Sequence, residues 1–210
     1  MLAGLGPASL GRAAALDLGA GFGMHSIPLA RMGYEVTAVD SSAHLLATLS
    51  DHAAGLAIRT VESDLMRFVE HCKAPLDLIL CMGDTLTHLL DVEVVANLFA
   101  AACRLLKSGG RMVLTYRDYT GDPIAALRFV PIRGDADRIL TCCLETTPSH
   151  LVVHDLLHER AGAVWKTSAS SYRKIRLRPL WVTEILQSLG FEVHCDADAR
   201  GMIRVTAAKP

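Results

Sequence analysis

The chain has 210 residues, of which 51% are hydrophobic and 20% charged, with a formal net charge of -1. That length fits one domain, or one domain carrying an insertion, and can bury a substantial core. The near-neutral balance leaves no general basic footprint for nucleic acid, no apolar run reaches the roughly 18 residues of a membrane span, and the N-terminus has no convincing signal peptide.

The first apolar run, Ala13–Leu18, reads as a strand, and Gly23–Met32 opens a helix. "YEVTAVD" supplies the valine and threonine of a second strand, Ser42–Asp51 has helical spacing, and "LAIRTVESD" alternates like a strand up to Asp64. "LDLILCM" is the continuous apolar run of a strand covered on both faces. Asp91–Leu106 returns to helical spacing, "KSGG" reads as a basic last turn with a glycine stop, and "RMVLTY" is the next strand. Strand and helix in alternation predict a parallel sheet with helices on both sides. After Tyr119 the rhythm changes. "IAALRFVPIR", "DRILTCCLETT", "HLVVHDLLHER" and "AVWKTSASSYRKIRLR" follow without a long helix, as in an antiparallel meander. Trp181–Leu189 then reads as helix and Gly190 ends it; "FEVHCDA" and "MIRVTAAK" form a last strand pair. No repeat or linker separates the parts, so residues 1–210 are expected to be a single domain, with 121–178 as a meander insertion.

The six cysteines, Cys72, Cys81, Cys103, Cys142, Cys143 and Cys195, form no CxxC pair and mostly lie in apolar runs. They are expected to be buried thiols of a cytoplasmic protein.

The loop Gly19-Ala20-Gly21-Phe22-Gly23 joins the first strand to its helix, and glycines there let the backbone approach a ligand closely. A dinucleotide fingerprint asks for glycine or alanine at its sixth position, where this chain has Met24. Asp17, two residues ahead of the first glycine, would repel a pyrophosphate but would attract the amino group of an amino-acid cofactor near a sulfonium. Asp40, ending the second strand, is placed to accept hydrogen bonds from two ribose hydroxyls. Charge sign therefore favours S-adenosylmethionine (SAM) over NAD.

"LDLGAGFG" with Asp40, then "ESDL", "LDLILCMGDTLTHL" and "LLKSGGRMVLT", resembles the class I SAM-dependent methyltransferases from about Ala13 to Thr115. The resemblance implies a Rossmann-like α/β fold: a doubly wound, mostly parallel seven-stranded sheet whose last strand is antiparallel. It implies a cofactor site made of Asp17, Gly19, Ala20, Gly21, Gly23, Asp40, Ser41, Asp64, Leu65, Met82 and Gly83, with S-adenosylhomocysteine as product. Asp64 and the Leu65 backbone would meet the adenine; Asp64 read alone is equally a helix N-cap ahead of "LMRFVEH".

"CMGDTLTHLL" resembles the Asn-Ser-Leu-x-His-Leu segment of the glycine N-methyltransferase-like branch, where that loop borders methyl transfer. Asp84 and Thr85 depart from the pattern; Leu86, His88 and Leu89 agree. A carboxylate at 84 would repel an acidic acceptor and attract an amine. His88 reads as a base or as a residue packing or capping the next helix. "TYRDYTGDPI" resembles the Arg-Asn-Tyr-Asp stretch of the same branch, through Arg117, Asp118 and Tyr119. Arg117 and Asp118 could equally form a surface pair. Asp84, His88 and Tyr116 are thus the catalytic candidates, and Arg117, Tyr119, Tyr172 and Arg176 the substrate-binding ones.

Alternation places Tyr172, Lys174, Arg176 and Arg178 on one face of the last meander strand, either orienting an anionic substrate or, as the favoured alternative, facing solvent. His150, His154 and His158 recur every fourth residue, but on a strand they lie too far apart to share one ion, so no metal is expected. His25 is expected to pack or cap. The meander fits a lid over an acceptor pocket. Related enzymes usually carry an N-terminal helical segment over the cofactor, for which "MLAGLGPASLGRAA" is short and glycine-rich. The sequence-level expectation is methyl transfer to nitrogen or oxygen of a small molecule, by a cytoplasmic protein that could be a homodimer. The alternatives are a non-catalytic or regulatory SAM-binding protein and an RNA methyltransferase, nucleic acid being the less favoured partner.

Overall fold

The computed structural model describes residues 13–72, 75–120, 127–198 and 201–210. The N-terminal stretch "MLAGLGPASLGR" and the start of the run "IAALRFVPIR" lie outside them. By contacts the chain divides into two compact units. One takes the chain up to Leu86, Glu93–Arg117 and Pro179–Pro210; the other takes Thr87–Val92 and Asp118–Arg178.

The first unit is built on β1 (Ala13–Leu18), β2 (Tyr34–Asp40), β3 (Ile58–Glu62), β4 (Leu76–Cys81) and β5 (Leu106–Arg117). The parallel pairs β1–β2, β1–β4, β2–β3 and β4–β5 join these five strands. β10 (Glu192–Ala197) and β11 (Met202–Ala208) complete a seven-stranded sheet in the order β10-β11-β5-β4-β1-β2-β3. β11 runs antiparallel to both β5 and β10. The expected doubly wound sheet with an antiparallel last strand is the one found.

Both faces of its centre are dry. Ala13 and Ala15 on one side of β1, and Leu16 and Leu18 on the other, are all buried. This is why the strand reads as an apolar run rather than an alternating one. α1 (Ser26–Arg31) contributes Leu29 to a cluster with Val36, Leu78 and Leu80, and α2 (Ala43–His52) contributes Leu46 and Leu49 to another with Ala38. Ser42 caps α2 by accepting from the Leu45 amide. α3 (Val92–Leu105) buries Val95, Leu98, Phe99 and Ala102, and α4 (Pro179–Ser188) buries Val182 and Leu186.

Two local readings are corrected. "KSGG" is not the end of a helix: α3 stops at Leu105, and Leu106–Arg117 is one strand with a register shift between its pairings Leu76–Leu106 and Leu78–Arg111. Gly109, at φ +76°, lets the extra residues loop out without leaving the strand. Cys195 is exposed rather than buried, because it lies on β10, the edge of the sheet. The Cys81 thiol fits the buried expectation: burial beside Asp17 pushes its pKa up to about 12, so it is an inert core side chain.

The second unit is a four-stranded antiparallel sheet of β6 (Leu127–Gly134), β7 (Arg138–Thr146), β8 (His150–Ala161) and β9 (Val164–Ile175), in that order. By contacts this unit takes in Thr87–Val92 and Asp118–Arg178. Among the described residues, no helix is long and apolar enough to cross a membrane.

Candidate functional site

An open α/β sheet presents its ligand crevice at the carboxyl ends of the strands. β1 and β2 are neighbours, with Asp17 beside Ala38 and Leu18 beside Val39. The glycine loop therefore emerges next to Asp40, and the Gly19 and Ala20 amides donate to the Val39 carbonyl at 2.8 and 3.1 Å.

The three glycines differ in what they face. All have positive φ, +72°, +54° and +93°. A Cβ on Gly19 would stand 2.4 Å from Thr85 Cγ2, and one on Gly23 would stand 2.2 Å from Leu49 Cδ1. Those two are fixed by close approach of the protein to itself. A Cβ on Gly21 would meet nothing within 4 Å. Gly21 thus leaves open space in the middle of the loop, flanked by the exposed side chains of Phe22 and Met24.

Asp40 closes the loop from the side. Its Oδ2 accepts from the Gly21 amide at 2.8 Å and its Oδ1 from the Ser42 amide at 2.9 Å. Each oxygen retains a second lone pair for a hydroxyl donor. The Asp40 carbonyl accepts from the Ser63 amide at 3.0 Å, which brings the chain leading into Asp64 beside it. Asp64 itself is exposed, and its Oδ1 accepts from the Met66 amide at 2.7 Å. It caps the 3₁₀ turn Leu65–His71, the capping alternative of the two readings, while Leu65 is half-buried. Ser41 is exposed.

Asp17 is 1% exposed and accepts from the Ser26 hydroxyl at 2.6 Å. Burial holds its carboxyl above the usual carboxylate range, and Asp40 adds to that push; the Ser26 bond and His25 oppose it. A buried carboxylate held this way is a place for a cation. His25 takes the N-cap position of α1 but makes no side-chain capping bond.

The loop after β4 is laced to the end of β5. Gly83 donates its amide to Thr115 Oγ1 at 2.7 Å, and the Asp84 amide donates to the Thr115 carbonyl. Asp84 is buried, and its Oδ1 accepts from the Arg117 amide at 2.9 Å. Among the described residues it is the one non-glycine with positive φ, +78°, a conformation that costs about 1–2 kcal/mol. Met82 and Tyr116 are buried, while the Arg117 side chain is exposed. Asp118 accepts from the Thr120 amide and hydroxyl at 2.7 and 2.6 Å, so its carboxylate organises its own turn.

The remaining acceptor-side candidates lie in the second unit. His88, in the 3₁₀ turn Thr85–His88, stacks on Tyr172 with ring centroids 5.4 Å apart. Lys174 Nζ lies 5.6 Å from the centre of the Tyr119 ring and 5.9 Å from that of Tyr172, and donates to the Tyr119 hydroxyl at 3.3 Å. Arg176 Nε donates to the Tyr119 carbonyl at 2.9 Å and its Nη1 to the Thr147 carbonyl at 2.8 Å, so this guanidinium clamps two loops. The basic row is consequently a solvated face only in part: Lys174 and Arg176 are half-buried, whereas Tyr172 and Arg178 are exposed. It shares its side of the sheet with the buried cluster of Cys142, Leu151 and Val153, against which Tyr119 packs. Cys142 donates to Asp155 at 2.7 Å, and burial together with that carboxylate pushes its thiol up to about 11. The three β8 histidines have separate partners: His150 meets Ser149, His154 meets Ser171, and His158 meets Thr167.

Sequence reasoning missed Ser26, Thr115 and the packing of Thr85 behind Gly19. Each is a contact across the fold with no local signature. A cavity of about 740 Å³ opens elsewhere in the first unit, bordered by Glu35, Thr37, Arg59 and Cys72. It lies toward the amino ends of β2 and β3, away from the glycine loop.

A family profile described as a methyltransferase domain matches residues 15–110. Among curated proteins, a glycine/sarcosine N-methyltransferase of Aphanothece halophytica is 33% identical over 106 residues, 50% of this chain and 40% of that protein. A ubiquinone biosynthesis O-methyltransferase of Caulobacter sp. (strain K31) is 32% identical over 126 residues, 55% of this chain and 48% of that one. The matches thus span less than half the length of these relatives. Among solved structures, the CcbJ methyltransferase from Streptomyces caelestis superposes with a TM-score of 0.81 at 20% identity, covering 95% of this chain and 90% of that one. SAM-bound CalS10, an amino pentose methyltransferase from Micromonospora echinaspora, gives 0.72 at 17% identity, covering 93% and 83%.

Proposed function

We propose that this chain, whose residues 15–110 match the profile of a methyltransferase domain, binds SAM and moves its methyl group to a nitrogen or oxygen of a small molecule. One observation carries the reading. Gly21 leaves a bare, open loop between a buried carboxylate, Asp17, and a strand-tip carboxylate, Asp40. Those acceptors suit an adenosyl amino acid with positive charge: Asp17 for its ammonium, Asp40 for its ribose hydroxyls. The stretch Asp64–Leu65, tied beside Asp40 through Ser63, would border the adenine.

The bound cofactor supplies an electrophilic methyl group on a sulfonium, a leaving group that needs no assistance. The chain's part is to align an acceptor, which in favourable cases contributes about 7–11 kcal/mol. Asp84 attracts an amine and holds the ends of β4 and β5 together through the Arg117 amide. His88 receives the acceptor's proton where the acceptor is protonated at neutral pH. Lys174, set against Tyr119 and Tyr172, holds the acceptor's anionic or aromatic part. The four-stranded unit follows β5 directly in the chain, which supports an acceptor-side role for it. The similarity of about half of the chain to N- and O-methyltransferases supports a small acceptor of either kind.

The test is turnover. The purified chain is incubated with SAM and a panel of small amines, amino sugars, amino acids and phenols, and S-adenosylhomocysteine is measured. Release that depends on one acceptor class is expected and names it. Cofactor binding without release across the panel would turn the reading toward a non-catalytic SAM-binding protein.

A further inference from the structure

The loops that follow β1 and β4 leave the sheet side by side, since Leu18 pairs with Cys81 at the ends of those strands. They touch through Thr85. A Cβ on Gly19 would fall 2.5 Å from Thr85 Oγ1 and 3.0 Å from Thr85 Cβ, so the half-buried threonine occupies the place that a side chain at position 19 would take. It is tied to its own loop as well: Oγ1 donates to the Met82 carbonyl at 2.8 Å, and the Thr85 amide reaches the same oxygen at 3.4 Å. The turn closed in this way, from Met82 to Thr85, holds two successive left-handed residues, Gly83 at φ +71° and Asp84 at φ +78°. A residue with a Cβ keeps that conformation only where its surroundings impose it. Restraint comes from the end of β5, where Thr115 accepts the Gly83 and Asp84 amides and the Arg117 amide donates to Asp84 Oδ1.

We infer that Thr85 is a positioning residue that carries occupancy of the glycine loop to Asp84. Given the proposed cofactor site, on which this rests, the acceptor-side carboxylate is set by the cofactor. Three glycines with positive φ give the empty loop conformational freedom, which a ligand against Gly21 removes. Gly19 then becomes a fixed wall behind Thr85. Close-packed groups have no slack to absorb such a change, and Thr85 is bonded to the turn that presents Asp84. The consequence is coupling between the two ligands: cofactor and acceptor each favour the other's binding by the same factor. Oγ1 both abuts Gly19 and bonds Met82, so serine can replace threonine here and alanine cannot.

The experiment is site-resolved amide hydrogen exchange, with S-adenosylhomocysteine as the probe and no acceptor present. The reporter is the Arg117 amide, which is bonded to Asp84. Its protection is divided by that of the Val113 amide in the middle of β5, which cancels any general gain in stability from the ligand. In the wild type, saturation with the probe should raise that ratio at least about fivefold, the lower end of ordinary coupling factors. Thr85→Ser should keep the rise; Thr85→Ala should lose it while still giving binding heat, and melts establish that both variants are folded. An unchanged ratio in the wild type, an equal rise in Thr85→Ala, or loss of the rise in Thr85→Ser overturns the coupling and leaves the cofactor reading standing. So does loss of binding in Thr85→Ala, which would make Thr85 a cofactor contact. No binding heat in the wild type overturns both.

Discussion

The Asp40 carboxylate accepts the Gly21 amide at 2.8 Å, tying the tip of β2 to the most open point of the glycine loop. One side chain thereby shapes the loop and offers its remaining lone pairs to a ligand.

Asp40→Ala removes both backbone anchors and the ribose contact together. Hydrogen bonds to a charged group contribute about 1.5–3 kcal/mol, so SAM affinity should fall about 10- to 100-fold in a calorimetric titration. Circular dichroism should show the fold intact. Unchanged affinity would place the cofactor elsewhere.

Gly19→Ala and Gly21→Ala separate packing from ligand approach. The first drives a methyl into Thr85 and should destabilise the free protein by more than the roughly 1–2 kcal/mol of its positive φ alone. The second meets only open space, so its loss of stability should be confined to that backbone term, while SAM binding weakens. Melting curves with and without SAM read both effects, and equal behaviour of the two variants would contradict the assignment.

Asp17→Asn should stabilise the free protein and weaken cofactor binding. The folded carboxyl has a raised pKa, so between the unfolded value of 3.8 and the folded one the native state binds more protons. Stability contributed by this group therefore falls as pH rises through that window, and asparagine abolishes the loss. Each kcal/mol relieved should raise Tm by about 2–4 °C. SAM affinity in the wild type should decline as pH falls into the same window, because the ammonium needs the ionised carboxylate.

Legibility in the sequence followed locality. Gly19, Gly21, Gly23 and Asp40 were readable because positive φ and a strand-ending acid leave their mark in adjacent residues. The apolar runs of β1 and β4 announced a sheet covered on both faces. Ser26 against Asp17, Thr85 against Gly19 and Thr115 against Gly83 were not readable, since the fold alone brings those partners together. Alternation correctly sorted Tyr172 and Lys174 onto one face of β9, but period alone does not say which face is inward. "KSGG" misled for a related reason: a positive-φ glycine serves a strand bulge as well as a helix end.

Asp84→Asn keeps an oxygen for the Arg117 amide and suits positive φ at least as well, so Tm should not drop. Turnover should change by more than SAM affinity does. Parallel loss of both would assign Asp84 to the cofactor side.

Lys174→Met preserves the aliphatic stem against Tyr119 and Tyr172 but removes the cation. Once an acceptor is known, its KM should rise about tenfold, equivalent to about 1.4 kcal/mol, with SAM affinity unaltered. A changed SAM affinity with an unaltered KM would move Lys174 out of the acceptor site.

The most direct test of the whole account is calorimetric titration of the purified chain with S-adenosylhomocysteine, followed by a melt of the complex. Saturable heat at one site per chain and a higher Tm are expected, both much reduced in Asp40→Ala. No heat and no shift in Tm from a folded protein would contradict the cradle of Asp17, Gly21 and Asp40, and the catalytic reading with it.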